Sequence, residues 1–75
     1  MEAIEQYVID KVWKMRSEKG WSLQELADYM NVSKGFLANV ESKKRVTHYN
    51  LKHINQLAKI FQCSPKDFLP DTPLD

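Results

Sequence analysis

Two helix-start signals stand eleven residues apart, at Ser22 and Ser33, and they leave the chain between them little freedom. In Trp21-Ser22-Leu23-Gln24-Glu25-Leu26 the Ser22 hydroxyl can accept the backbone N–H of Glu25 while the Glu25 carboxylate reaches back to the N–H of Ser22. This is a capping box, with Trp21 and Leu26 placed as its hydrophobic staple. Asn31 tolerates the left-handed conformation that closes a helix, and Val32-Ser33 then opens another, with Ser33 as cap and Val32 and Leu37 as staple. Two short helices, roughly eight and ten residues long, joined by a turn that allows only a sharp bend, form a helix-turn-helix over about residues 22–42. Leu23, Leu26, Ala27 and Met30 are expected inside the first helix's packing face. Leu37, Val40 and Glu41 face back from the second, with the small Ala27 at the closest approach. Lys34, Gly35, Ala38, Asn39 and Ser42 are left facing elsewhere.

Helical periodicity continues on both sides. Ile4, Val8, Val12 and Met15 recur at spacings of three and four, drawing an apolar stripe on a helix that Gly20 stops. Asn50 caps a further helix with Leu51, Ile54, Leu57, Ala58 and Phe61 in register for burial, and Tyr49 and Ile54 as its staple. Ser64-Pro65-Lys66-Asp67 announces a short fifth helix, which Pro70 and Pro73 end. No segment alternates as a strand does, and no internal repeat is present. The expected fold is all-α: a compact four- to five-helix bundle, one domain over residues 1–75 with a short tail from about residue 71. With 75 residues, such a domain buries about 60 to 65% of the surface its unfolded chain exposes.

The side-chain chemistry narrows the function classes. Cys63 is the sole cysteine, so no internal disulfide forms, and no leader pattern opens the chain, which reads as cytoplasmic. No apolar run approaches the roughly 20 residues that span a bilayer, so no membrane partner is expected. His48 and His53 lack a cysteine or acid at ligand spacing, and there is neither a glycine-rich phosphate loop nor a Ser-His-Asp arrangement. Metal, cofactor, small-molecule effector and catalysis are therefore not expected. The net charge is only +1, but it is unevenly spread. Residues 33–66 carry seven basic groups (Lys34, Lys43, Lys44, Arg45, Lys52, Lys59 and Lys66) against Glu41 alone. Such local clustering attracts phosphate more effectively than overall charge does.

The run Met15-Arg16-Ser17-Glu18-Lys19-Gly20-Trp21-Ser22, followed by Leu26-Ala27, Val32-Ser33, Leu37 and Val40-Glu41, resembles the Cro/CI phage-repressor family over about residues 9–69. The resemblance implies a lambda-repressor-like bundle that binds double-stranded DNA as a symmetric dimer and regulates transcription. Its second motif helix, about Ser33–Ser42, would enter the major groove. It also implies an ion pair between Arg16 and Glu41. The chain has Leu23 where the family often has Gln, Asn31 where a turn Gly is usual, and Ser42-Lys43 where Asn-Gly is usual. On the second motif helix, Lys34 can reach guanine and Asn39 can pair with adenine, with Gly35, Phe36 and Ala38 beside them as base-facing candidates. Ser22, Leu23, Ser33, Ser42, Lys43, Lys44, Arg45, Tyr49 and Asn50 are the phosphate candidates, placed at helix starts or in the basic loop. A homodimer is expected through the C-terminal region, where Phe61, Phe68 and Leu69 offer apolar surface. A protein-interaction adaptor or antitoxin-like module on the same fold is the alternative, because fold alone does not confer function.

Overall fold

The computed structural model describes residues 2–42 and 47–74. Among them are four α-helices, α1 (Ala3–Lys19), α2 (Leu23–Met30), α3 (Lys34–Glu41) and α4 (Leu51–Phe61), then one turn of 3-10 helix, Pro65–Phe68. No strand occurs among the described residues. Local chemistry sets each boundary. Ser22 Oγ accepts the Glu25 N–H at 3.0 Å and the Glu25 carboxylate accepts the Ser22 N–H at 2.9 Å, which closes the box at the start of α2. Ser33 Oγ accepts the Phe36 N–H at 3.0 Å at the start of α3. Gly20, Asn31 and Gln62 end their helices in the left-handed region, with φ of 73°, 56° and 57°. The last two carry a side chain there, a conformation in which Asn is more at ease than Gln.

The helices close around one core. Val12, Leu26, Ala27, Leu37, Val40, Leu57 and Phe68 are wholly buried, with Val8, Ile9, Met30, Tyr49, Ile54, Ala58 and Phe61 nearly so. α2 packs on α3 and α4, α1 on α3 and the 3-10 turn, and that turn also on α4. Thus α3 is held from two sides, by α1 and α2. Gln56 adds a polar tie: its Nε2 donates to the carbonyl of Met30, the last residue of α2.

Several expectations need correction. Ile4 and Leu51 lie in register with buried residues, yet they are 44% and 82% exposed. Both sit in the first turn of a helix, and a helical Cβ leans toward the N-terminus, so these side chains lean past the end of the bundle. Ile9, off the expected stripe, is buried, because α1 meets both α3 and the 3-10 turn and so buries a wider arc. Leu23 is only partly covered. The fifth helix is a single 3-10 turn, capped by Ser64. The expected C-terminal dimer surface changes most. Phe61 and Phe68 are inside the domain, their rings 6.2 Å apart, so neither can face a partner; Leu69 remains accessible. The 3-10 turn folds Phe68 back between α1 and α4, which is why these rings find cover at home.

Candidate nucleic-acid interface

α3 divides cleanly between its two faces. Leu37 and Val40 have no exposure, whereas Lys34, Gly35, Ala38 and Asn39 are all exposed. Residues at positions i, i+1, i+4 and i+5 of a helix form one stripe, so these four side chains share a single outward surface. That surface has a cation and an amide at its ends and almost no bulk between them. Gly35 is not there to relieve crowding: a Cβ at this position would meet only the Ser33 hydroxyl, at 3.9 Å. Its φ also lies outside the left-handed region.

The other end of α3 is clamped. Arg16 Nη2 and Nε donate to the two carboxylate oxygens of Glu41 at 3.0 and 3.4 Å, a forked pair, and Nη1 donates to the Trp21 carbonyl at 2.9 Å. One guanidinium thereby joins α1, the residue preceding the α2 cap and the last residue of α3. Both side chains are mostly covered, at 13% and 15% exposure, so the forked geometry counts for more than a surface pair would. The Tyr49 hydroxyl is buried with no hydrogen-bond partner among the described residues. Burial raises its pKa, the Glu41 carboxylate raises it further, and the Arg16 guanidinium opposes them.

The start of α4 borders the start of α3. The Phe36 ring is half-buried and lies 5.1 Å from the His53 imidazole, which in turn lies 6.1 Å from Tyr49. His53 completes a capping box with Asn50: Asn50 Oδ1 accepts the His53 N–H at 3.0 Å, and His53 Nδ1 accepts the Asn50 N–H at 3.1 Å. Nδ1 can accept only while unprotonated. Consistently, burial lowers the imidazole pKa, with the Lys52 charge adding to the effect. Just before this turn, His48 Nε2 lies 2.9 Å from the Glu5 carboxylate, tying the approach to α4 back to α1.

These placements sort the residues singled out from the sequence. Lys34, Gly35, Ala38 and Asn39 come together on one outward face, and Ser22, Ser33 and Asn50 are exposed caps. Phe36 is largely turned to His53, and Tyr49 is a core residue at 6% exposure, so its ring is unavailable to an external phosphate. Ser42 is partly covered. Lys43, Lys44 and Arg45 lie outside the described residues. The sequence reading missed His53 and Gln56 as supports of the motif. For His53, its place three residues after the Asn50 cap was the available signal.

A family model described as a Cro/C1-type HTH DNA-binding domain matches residues 11–73. The chain belongs to the Cro/C1-type helix-turn-helix family. No curated protein and no solved structure matches it. As a Cro/C1-type domain it is built to bind DNA, and its matched segment runs from the middle of α1 to beyond the 3-10 turn, so the whole clamped motif falls within it. No described helix is long and apolar enough to cross a membrane. No group of three or more potential metal ligands occurs among the described residues.

Proposed function

We propose that this Cro/C1-type domain is a sequence-specific transcriptional regulator, a repressor, that reads double-stranded DNA as a two-fold dimer with α3 in the major groove. The outward face of α3 carries this reading: Lys34, Gly35, Ala38 and Asn39 are exposed together on a helix whose opposite side is fully packed and clamped. The major groove is about 12 Å wide and admits one helix, and it displays patterns that these side chains can read. Lys34 donates to the guanine O6 and N7 acceptors or to a phosphate, and Asn39 pairs through its amide with adenine N7 and N6. Gly35 and Ala38 keep the space between them low, which lets the backbone come close to the base edges. Phe36 acts mainly by seating the first turn of α3 on His53, at the margin of the read surface.

Phosphates are held by the surrounding donors. Ser22, Leu23, Ser33 and Asn50 lie at helix starts, where free backbone N–H groups attract anions. Ser42, Lys43, Lys44 and Arg45 follow α3, the serine offering a hydroxyl and the three cations charge along the backbone. A single helix reads too few base pairs for a genomic address, and two-fold repetition doubles the site without lengthening the chain. The longest dimension of the domain is 32 Å, so two copies side by side can set their recognition helices about 34 Å apart, one turn of the duplex.

Selection of bound sites from a random duplex library tests this directly. The expected result is an enriched inverted repeat with half-site centres about 10 base pairs apart or a multiple of that, bound with a steep loss of affinity as salt rises. Recovery of no sequence preference, together with no binding at low salt, would instead favour the adaptor reading.

A further inference from the structure

The capping box of α4 leaves one polar group unused. His53 Nδ1 accepts the Asn50 N–H at 3.1 Å, and a neutral imidazole that accepts at one ring nitrogen carries its proton on the other. Nε2 is therefore an N–H donor. It has no hydrogen-bond or ion-pair partner among the described residues, and the side chain is partly exposed. Burial first and the Lys52 charge second hold the ring below the ordinary imidazole pKa, which keeps it in this neutral form at pH 7. The residue type matters here. Glu or Gln is the usual partner at this position of the box, as Glu25 is at the start of α2. A glutamate would close the α4 cap equally well but would hold a negative charge there, whereas histidine closes it and still offers a donor.

The place of this donor indicates its acceptor. The imidazole lies 5.1 Å from the Phe36 ring, and Phe36 adjoins Gly35 and Asn39 of the outward stripe of α3. Thus α4 begins on the Asn39 flank of α3. A helix with its side chains is about 10–12 Å across and the major groove about 12 Å wide, so a helix seated there fills the groove. Whatever stands on its flank meets a sugar–phosphate wall. Lys52, next in the chain, is exposed and in no ion pair among the described residues, and the first turn of α4 contains no acid, so an anion is favoured there. We propose that His53 is a phosphate-binding residue, whose Nε2–H donates to one backbone phosphate oxygen beside the base that Asn39 reads. The proposal rests on the DNA-binding reading above and adds a side-chain donor to it. One ring then caps α4, seats Phe36 at the start of α3 and grips the DNA backbone. Phosphate contacts fix register and carry no sequence information directly, so His53 is a positioning residue for α3.

The test separates the cap from the donor. His53→Glu keeps an acceptor for the Asn50 N–H and has no donor, so it is expected to fold as stably as the wild type. His53→Gln carries an acceptor and a donor on one planar group, as the imidazole does. Each chain is titrated with the duplex recovered by site selection, in which one phosphate at a time is replaced by an uncharged methylphosphonate. In the wild type, replacement at one phosphate in each half-site is expected to weaken binding about tenfold, the scale of a hydrogen bond to a charged acceptor. The same replacement is expected to cost His53→Glu little or nothing and His53→Gln most of the wild-type loss. A double-mutant cycle between side chain and phosphate isolates this coupling from any general repulsion by the glutamate. Nitrogen-15 spectra of the wild-type imidazole supply a second readout: the proton is expected on Nε2 in the free chain, with the Nε2 resonance moving when the duplex is added. Equal costs in wild type and His53→Glu at every phosphate would overturn the proposal. So would a free ring protonated on Nδ1, an Nε2 resonance unmoved by the duplex, or a coupling to a base pair in place of a phosphate. A wild-type chain that binds no duplex would sink the DNA reading and this proposal together, whereas binding without the coupling sinks this proposal alone.

Discussion

α1 and α3 both bury one face and expose the other, yet what they expose is opposite in kind. α3 shows solvent a lysine, a glycine, an alanine and an asparagine. α1 shows Ile4, Tyr7 and Trp13, the last at 53% exposure, among charges of both signs. Small and polar side chains suit a surface that must slide into a groove and exchange hydrogen bonds with base edges. Aromatic rings among balanced charges suit a protein surface, where a desolvated anchor surrounded by a polar rim carries the affinity. Under the proposed reading, the two helices, which touch through the same core, have separate tasks. That reading also accounts for the heavy clamping of α3, since a recognition helix is only as selective as its position is fixed.

The clamp is the place where that contrast breaks most severely. Arg16→Ala removes the guanidinium and leaves both the Glu41 carboxylate and the Trp21 carbonyl without their donor. The expected loss is ~3 kcal/mol, the scale for breaking a largely buried pair from one side. Glu41→Ala is expected to cost less, because Arg16 keeps the Trp21 carbonyl. In the double variant the loss is smaller than the two singles summed. Denaturant titration of the four chains measures the coupling, and strictly additive losses would mean that the pair does not act as a unit.

Next in size is the division of labour on the outward face. Asn39→Ala and Lys34→Ala are each expected to relax preference at individual base pairs by roughly 1 to 3 kcal/mol, while Lys44→Ala weakens all sequences alike and lowers the salt slope by about one. Site selection with each variant distinguishes these outcomes. A lost base preference in Lys44→Ala with none in Asn39→Ala would reverse the assigned roles.

What the sequence reveals of this molecule follows the range of the interactions. The starts of α2, α3 and α4 are readable because a cap is a contract between residues three apart, and Ser22, Ser33 and Asn50 state it locally. Ile4 and Leu51 mislead because periodicity reports direction around a helix and says nothing about where the bundle ends along it. Phe68 misleads because its burial depends on α1, α4 and the 3-10 turn closing together. The Gln56 tie to Met30 joins residues 26 apart, and no pattern in the chain announces it. The Arg16–Glu41 pair, 25 residues apart, was visible only through the family resemblance. The outward face of α3 was readable as the remainder once Leu37 and Val40 had been given to the core.

Gly35 sharpens the comparison further. Nothing within the domain requires glycine there, and in a helix it costs up to about 1 kcal/mol relative to alanine. Gly35→Ala is therefore expected to stabilise the free domain by about 0.5 to 1 kcal/mol while weakening binding to the selected operator. Thermal unfolding and operator titration read the two effects separately. A variant that gains stability and binds as well as the wild type would show that the backbone at this position does not approach DNA closely.

The smallest effect concerns the seat on which the first turn of α3 rests. Both α2 and α4 begin with reciprocal caps, but the third-position partner is Glu25 in one and His53 in the other, and only the imidazole titrates near neutral pH. The folded chain holds His53 below the ordinary imidazole value of about 6.5, through burial first and the Lys52 charge second. As pH falls through that value the unfolded chain takes up its proton before the folded one does, so protonation favours unfolding. The contribution of His53 is complete above about pH 6.5, declines as pH falls toward the depressed folded pKa, and levels off below it. His53→Gln retains a side-chain oxygen that can accept the Asn50 N–H and removes the titration. Urea midpoints at pH 7.5 and 5.5 are expected to differ more for the wild type than for His53→Gln, with the wild type losing stability at the lower pH. The same drop in both chains would place the sensitive group elsewhere and leave the α4 cap, like the α2 cap, insensitive to pH in this range.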